Sequence, residues 1–164
     1  MPNQVDDNPM PDTDVQEFRD QILAAARKVP FFNLVGLEVT EIAPGRSTTR
    51  MAWREDLAGP GGLIHGGMIA SLIDTGTAYA LLLTDELRDP LLAGRRLVTV
   101  DLRVKYLRPV AGGRITCLST ATRVGRQIIH TDAIVTDEGG KEVARGDALY
   151  TTVDATHGLS HQSG

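Results

Sequence analysis

The stretch LIHGGMIASLIDTGTAYALLL, residues 63–83, decides the fold. From Met68 to Leu83 it is apolar nearly all round, interrupted only by Ser71, Asp74, Thr75, Gly76 and Thr77. A helix apolar on every side is central rather than surface-lying. A carboxylate inside it must be paired, neutralised or used, because an isolated buried charge is costly. Three and four positions from Asp74 stand Ala70, Ser71, Thr77 and Ala78, so no cation of the same helix can pair with it. Taken alone, Asp74 reads as an acceptor of backbone or threonine hydrogen bonds that fixes packing. Gly66-Gly67 at the amino end of the helix shifts the balance. There, free backbone N–H groups and the positive end of the helix dipole can hold an oxyanion, and glycine lets a ligand approach closely. Eight residues separate Gly66 from Asp74, ~12 Å along the axis, too far for one reacting carbonyl to touch both. Two antiparallel copies of the helix in a homodimer would set Asp74 of one chain beside Gly66 of the other, giving two shared sites. His65 has two roles open to it. With one histidine nearby and no acidic pair in sequence, orienting the loop through its ring nitrogens is favoured over a part in the chemistry.

Outward from this helix the period changes. LVTVDLRVKYL places Val98, Val100, Leu102, Val104 and Tyr106 on one face and Thr99, Asp101, Arg103 and Lys105 on the other, the alternation of a strand with one covered face. Alternation does not say which face borders the helix. RITCLSTATRV, QIIHTDAIVTD and EVARGDALYTTV follow, separated by Gly125-Arg126 and Glu138-Gly139-Gly140, so the second half reads as a four-strand antiparallel meander. Upstream, LVGLEVTEIAPGRSTTRMAW is a strand pair around Pro44-Gly45, and AGPGG, residues 58–62, leads into the helix. Before these, VQEFRDQILAAARKV has helical spacing at Val15, Phe18, Ile22, Leu23, Ala26 and Val29, with Thr13 or Asp14 as cap and Pro30 as terminator. One central helix and a sheet can bury both apolar faces only if the sheet curls around the helix. The expected architecture is α+β: a curved antiparallel sheet around one long helix, with an extra N-terminal helix.

Composition sets the outer limits. At 164 residues, one domain is expected over 15–153, with mobile tails at 1–14 and 154–164. No apolar run is long enough to cross a bilayer, and the acidic start lacks the basic and apolar regions of a secretory signal, so a cytoplasmic protein is expected. The single Cys117 excludes an intrachain disulfide and a multi-cysteine metal cluster, in keeping with a reducing compartment, and reads as a small apolar filler. The net charge of −4 is uneven: Asp6, Asp7, Asp12, Asp14, Glu17 and Asp20 against Arg19 carry −5, leaving the rest at +1. Its arginines fall in local groups without a lysine stripe or interleaved aromatics, which suits a discrete phosphorylated ligand and not nucleic acid.

The stretch LIHGGMIASLIDTGTAYAL, with FFNLVGLEVTEIAPGRSTTRM, VTVDLRVKYLRPV, VGRQ and GKEVARGDALYTTV, resembles the hotdog-fold thioesterases of the phenylacetate-pathway, PaaI-like group. The resemblance covers most of the chain. It implies a hotdog fold, a homodimer that often pairs into tetramers, and hydrolysis of acyl-coenzyme A thioesters without a metal or a separate cofactor. Asp74 matches the family's general base or nucleophile. Gly66 matches the amide that polarises the thioester carbonyl, beside Gly67, and Thr99 matches a hydroxyl residue that helps place the attacking water. Coenzyme A phosphates would need basic partners, for which Arg126, then Arg123 and Arg108, are the candidates. One departure stands out: where the family usually carries Asn or Gln six positions before the histidine, this chain has Gly59. The alternatives are therefore a slower enzyme, a substitute such as His65 or a loop-backbone group, or a protein that binds acyl-CoA as sensor or carrier. A dehydratase on the same fold is less well matched by His65-Gly66-Gly67.

Overall fold

The computed structural model describes residues 12–125 and 128–154. Its centre is helix α3, Gly66–Tyr79, with Leu72 and Ile73 fully buried. Around it bends one six-stranded sheet of β1 (Leu37–Ala43), β2 (Arg46–Ala52), β3 (Arg95–Tyr106), β4 (Arg114–Val124), β5 (Ile129–Thr136) and β6 (Glu142–Asp154). The strand order is β1-β2-β4-β5-β6-β3 with every pair antiparallel. The helix-facing positions are small or β-branched for the most part: Ser47, Thr49 and Met51 on β2, Ile115, Cys117 and Ser119 on β4, Ile129, Thr131, Ala133 and Val135 on β5. That alternation is what a strand covered on one face requires. The architecture is the expected α+β hotdog layout.

Close approach of α3 to the sheet rests on small residues. Ser47 Oγ donates to the Gly76 carbonyl at 2.6 Å and Thr49 Oγ1 to that of Leu72 at 3.3 Å, so buried hydroxyls are satisfied by helix carbonyls. A Cβ on Gly146 of β6 would lie 2.7 Å from Ile73 Cγ2 and 3.0 Å from the Arg103 carbonyl oxygen, so glycine alone fits there. Cys117 is fully buried below the helix, and burial pushes its thiol up, in keeping with a packing role.

Several details depart from the sequence reading. The last four strands are not a meander: β3 pairs with β6 at the sheet edge, and β4 pairs with β2. Alternation defines a strand but not its neighbour. The 107–113 link bonds elsewhere, Leu107 and Arg108 N–H to the Val143 carbonyl and Ile64 N–H to that of Val110, carrying the chain past the sheet end. Helix α1, Asp12–Ala26, begins before Thr13 and Asp14, which therefore lie inside it. Pro30 opens a short second helix, α2 (Pro30–Val35), whose first turn needs no N–H from it. Helix α4, Asp85–Leu92, was not anticipated, and β6 reaches Asp154. Residues 1–11 and 155–164, most of the two expected tails, lie outside the described residues. No helix among the described residues is long and apolar enough to cross a membrane.

Candidate functional site

The amino end of α3 is fixed from several sides. In the preceding loop, Gly61 (φ 79°) and Gly62 (φ 73°) take left-handed conformations that favour glycine. Trp53 Nε1 donates to the Gly62 carbonyl at 3.0 Å, and His65 N–H to that of Leu57 at 2.9 Å. His65 is the N-cap: its Nδ1 accepts from the Gly67 N–H at 3.0 Å, which requires that nitrogen unprotonated and leaves Nε2 free to donate. Tyr106 Oη donates to the Gly66 carbonyl at 2.9 Å. The Gly66–Gly67 peptide is thus held at both ends, by a phenol on its oxygen and an imidazole on its nitrogen. The N–H of Gly66 has no acceptor among the described residues, as the first donor of a helix should not.

Gly59, where an amide side chain was missed, lies against the His65 ring, with a would-be Cβ 3.3 Å from its Cδ2. Its own N–H donates to the Leu63 carbonyl at 2.7 Å, so that backbone group is already used. Two hollows flank this turn. One, about 340 Å³, is lined by Leu63, Gly66, Ile69, Tyr106 and Arg108. The other, about 440 Å³, is lined by Leu34, Val35, Leu57, His65 and Met68.

Asp74 is half-buried, two turns along the helix, and its partners come from the sheet. Thr99 Oγ1 on β3 donates to Asp74 Oδ1 at 2.9 Å. Tyr150 Oη on β6 lies 3.3 Å from the same oxygen and 2.8 Å from the Asp74 carbonyl. Thr99 and Tyr150 are directly opposed across the β3–β6 ladder, so one register sets both. Among the described residues, the Asp74 carboxylate is met by two hydroxyls and no cation.

That Thr99 faces the helix follows from a bulge. The β3–β6 register shifts between Thr99 and Asp101, which changes the parity of the strand. Leu97 before it, and Leu102 and Val104 after it, pack inward, while Val100 is left 63% exposed; Thr99 is itself exposed, and its bond to Asp74 is what directs its hydroxyl to α3. Strict alternation had put Thr99 opposite Leu102 and Val104, and the bulge overturns that. Its hydroxyl proton is engaged by the carboxylate, leaving only its lone pairs for a water.

The basic residues do not gather. Arg108 is exposed at the rim of the Gly66 hollow. Arg123 is exposed on the outer face, opposite His130 in the ladder, toward the Asp74 end. Arg126 lies outside the described residues. No group of three His, Cys, Asp or Glu among the described residues could hold a metal ion. Tyr150 and Tyr106 are the residues that the sequence reading missed as parts of the site. A tyrosine on an apolar strand face that needs a buried partner for its hydroxyl was the available signal.

A curved antiparallel sheet around a single helix, with a free N–H at the first turn of that helix and a carboxylate two turns on, is a hotdog protein of the thioesterase kind. The model of the thioesterase superfamily matches residues 61–144, the span from the glycine loop to β6, and the chain belongs to that family. It is 35% identical over 98 residues to the medium/long-chain acyl-CoA thioesterase YigI of Escherichia coli K12, covering 54% of this chain and 61% of that one. It is 28% identical over 134 residues to acyl-coenzyme A thioesterase 13 of Pongo abelii, covering 80% and 91%. Among solved structures, a mutant of the phenylacetic acid degradation protein PaaI from Thermus thermophilus superposes with a TM-score of 0.65 at 27% identity, over 75% of this chain and 98% of that one.

Proposed function

We propose that this protein is a cytoplasmic acyl-CoA thioesterase whose active sites are shared across a homodimer. The observation that carries the reading is the pair of chemically prepared groups on one helix, the acceptor-free Gly66 N–H and the hydroxyl-held Asp74 carboxylate. Their separation of ~12 Å supports a partner's helix completing each site. The edge position of β3, with Val100, Tyr106 and Leu107 all at least half exposed, supports a partner along that edge.

In this mechanism the thioester carbonyl oxygen accepts from Gly66 N–H, and the opposing subunit's Asp74 takes a proton from water as its oxygen attacks the carbonyl carbon. Negative charge collects on the carbonyl oxygen, where one such donor is worth roughly 3 kcal/mol. The C–S bond then breaks, coenzyme A leaves as thiolate and is protonated, and the free acid is released. Direct attack by Asp74 uses the same placement, passing through an anhydride that water opens. The apolar walls of the 440 Å³ hollow, Leu34, Val35, Leu57 and Met68, support an apolar acyl group, and Arg108 at the rim of the other hollow supports contact with a coenzyme A phosphate. Arg123 and Arg126 are the other phosphate candidates.

The second reading, an acyl-CoA sensor or carrier, is favoured by Gly59, which brings neither a side-chain amide nor a spare N–H. His65 Nε2, the imidazole nitrogen not used in capping, is the candidate substitute. Thiol release from short, medium, long and aryl acyl-CoAs, with Asp74→Ala and Asp74→Asn beside the wild type, separates the two. A loss of several orders of magnitude in both folded variants supports the enzyme. Binding without turnover by the wild type supports the sensor.

A further inference from the structure

We infer that Tyr150 is a positioning residue that, with Thr99, ties down one oxygen of the Asp74 carboxylate and so leaves the other, Oδ2, as the reacting atom. The proton count leads there. Tyr150 Oη carries one hydrogen and has three oxygens in reach: Thr77 Oγ1 at 2.7 Å, the Asp74 carbonyl at 2.8 Å and Asp74 Oδ1 at 3.3 Å. Thr77 also carries one hydrogen, and it can donate to the Ile73 carbonyl at 2.8 Å, to the Asp74 carbonyl at 3.1 Å or to Tyr150. When Thr77 donates to the phenol, the phenol's hydrogen is left for Asp74, shared between its carbonyl and Oδ1. Thr99 donates to that same Oδ1. In that arrangement both hydroxyls converge on one oxygen, and among the described residues none is assigned to Oδ2.

The support is rigid. Tyr150 is 1% exposed, and it is held in the ladder opposite both Thr99 and Ile129. Burial pushes its phenol well above the ordinary tyrosine range, so it stays a donor throughout neutral pH. A carboxylate bonded on one oxygen keeps a single rotamer and keeps the lone pairs of the other for water or carbonyl carbon, which is the orientation effect that speeds an attack.

The kinetic arm of the test rests on the thioesterase reading, and the spectroscopic arm does not. Tyr150→Phe removes one oxygen and no packing. Its kcat is expected to fall about tenfold to a hundredfold, the worth of a hydrogen bond to a charged group, with KM within about twofold. In an Asp74→Asn background the same change should cost nothing further. Full-length protein labelled with carbon-13 at aspartate carboxyls, with the Asp74 signal assigned by its loss in Asp74→Asn, reads the contact without turnover. Tyr150→Phe should displace that signal. Thr77→Val, which leaves Asp74 as the phenol's remaining partner, should displace it in the opposite sense and serves if Tyr150→Phe does not fold. Unchanged kcat, a loss repeated in full on Asp74→Asn, or an unmoved carboxyl signal overturns the inference. A wild type without turnover refutes the thioesterase reading alone, and the carboxyl signal still decides on Tyr150.

Discussion

Replacing Gly146 by alanine tests whether the placement of Asp74 depends on the close contact between α3 and β6. The new Cβ would stand 2.7 Å from Ile73 Cγ2 and 3.0 Å from the Arg103 carbonyl oxygen, against ordinary contact of about 3.5–4 Å. Neither neighbour yields easily, one being a branched methyl in a fully buried side chain and the other the backbone of the paired strand β3. Overpacking of this kind costs about 1–3 kcal/mol, and the backbone entropy saved by replacing glycine returns about 0.5–1 kcal/mol. The net expectation is a loss of about 1–2 kcal/mol, a fall in Tm of roughly 2–8 °C for a chain of this size. Calorimetry at fixed protein concentration reads it, since the melting of the proposed dimer would depend on concentration. Ile73 adjoins Asp74, so turnover should drop together with stability. Ile73→Ala removes the clashing methyl. In the double variant the two losses should sum to less than their separate values by about 1 kcal/mol. A Gly146→Ala protein as stable as the wild type, or strictly additive losses, would refute the reasoning.

Two further outcomes follow from the same geometry. His65→Asn keeps a good helix N-cap and so should leave Tm nearly unchanged, yet it removes Nε2; thioesterase assay should show a fall of at least about tenfold if that nitrogen replaces the missing amide, and wild-type rates would rule it out. Tyr150 has a folded-state pKa raised above its unfolded value, so its contribution to stability is fully present below pH about 10 and is lost as pH rises beyond. Melting curves from pH 9 to 11 should therefore fall less steeply for Tyr150→Phe than for the wild type, and parallel curves would contradict that sign.

What the sequence determined by itself was whatever short-range chemistry writes locally. The all-round apolarity of Met68–Leu83 marked a central helix, which ends at Tyr79 as α3, period-two alternation marked the strands of the second half, and Gly66-Gly67 ahead of Asp74 marked the two ends of the candidate site. The tertiary structure alone decided which groups meet. The bulge between Thr99 and Asp101 carries no glycine or proline to announce it, because it is set by pairing with the distant strand β6. That pairing turned Thr99 toward Asp74 and brought Tyr150 beside both, while the strand order placed β3 at an open edge. Register and neighbour choice are non-local, fixed by which apolar faces must be buried together, so no window of sequence around Asp74 contains the residues that hold it.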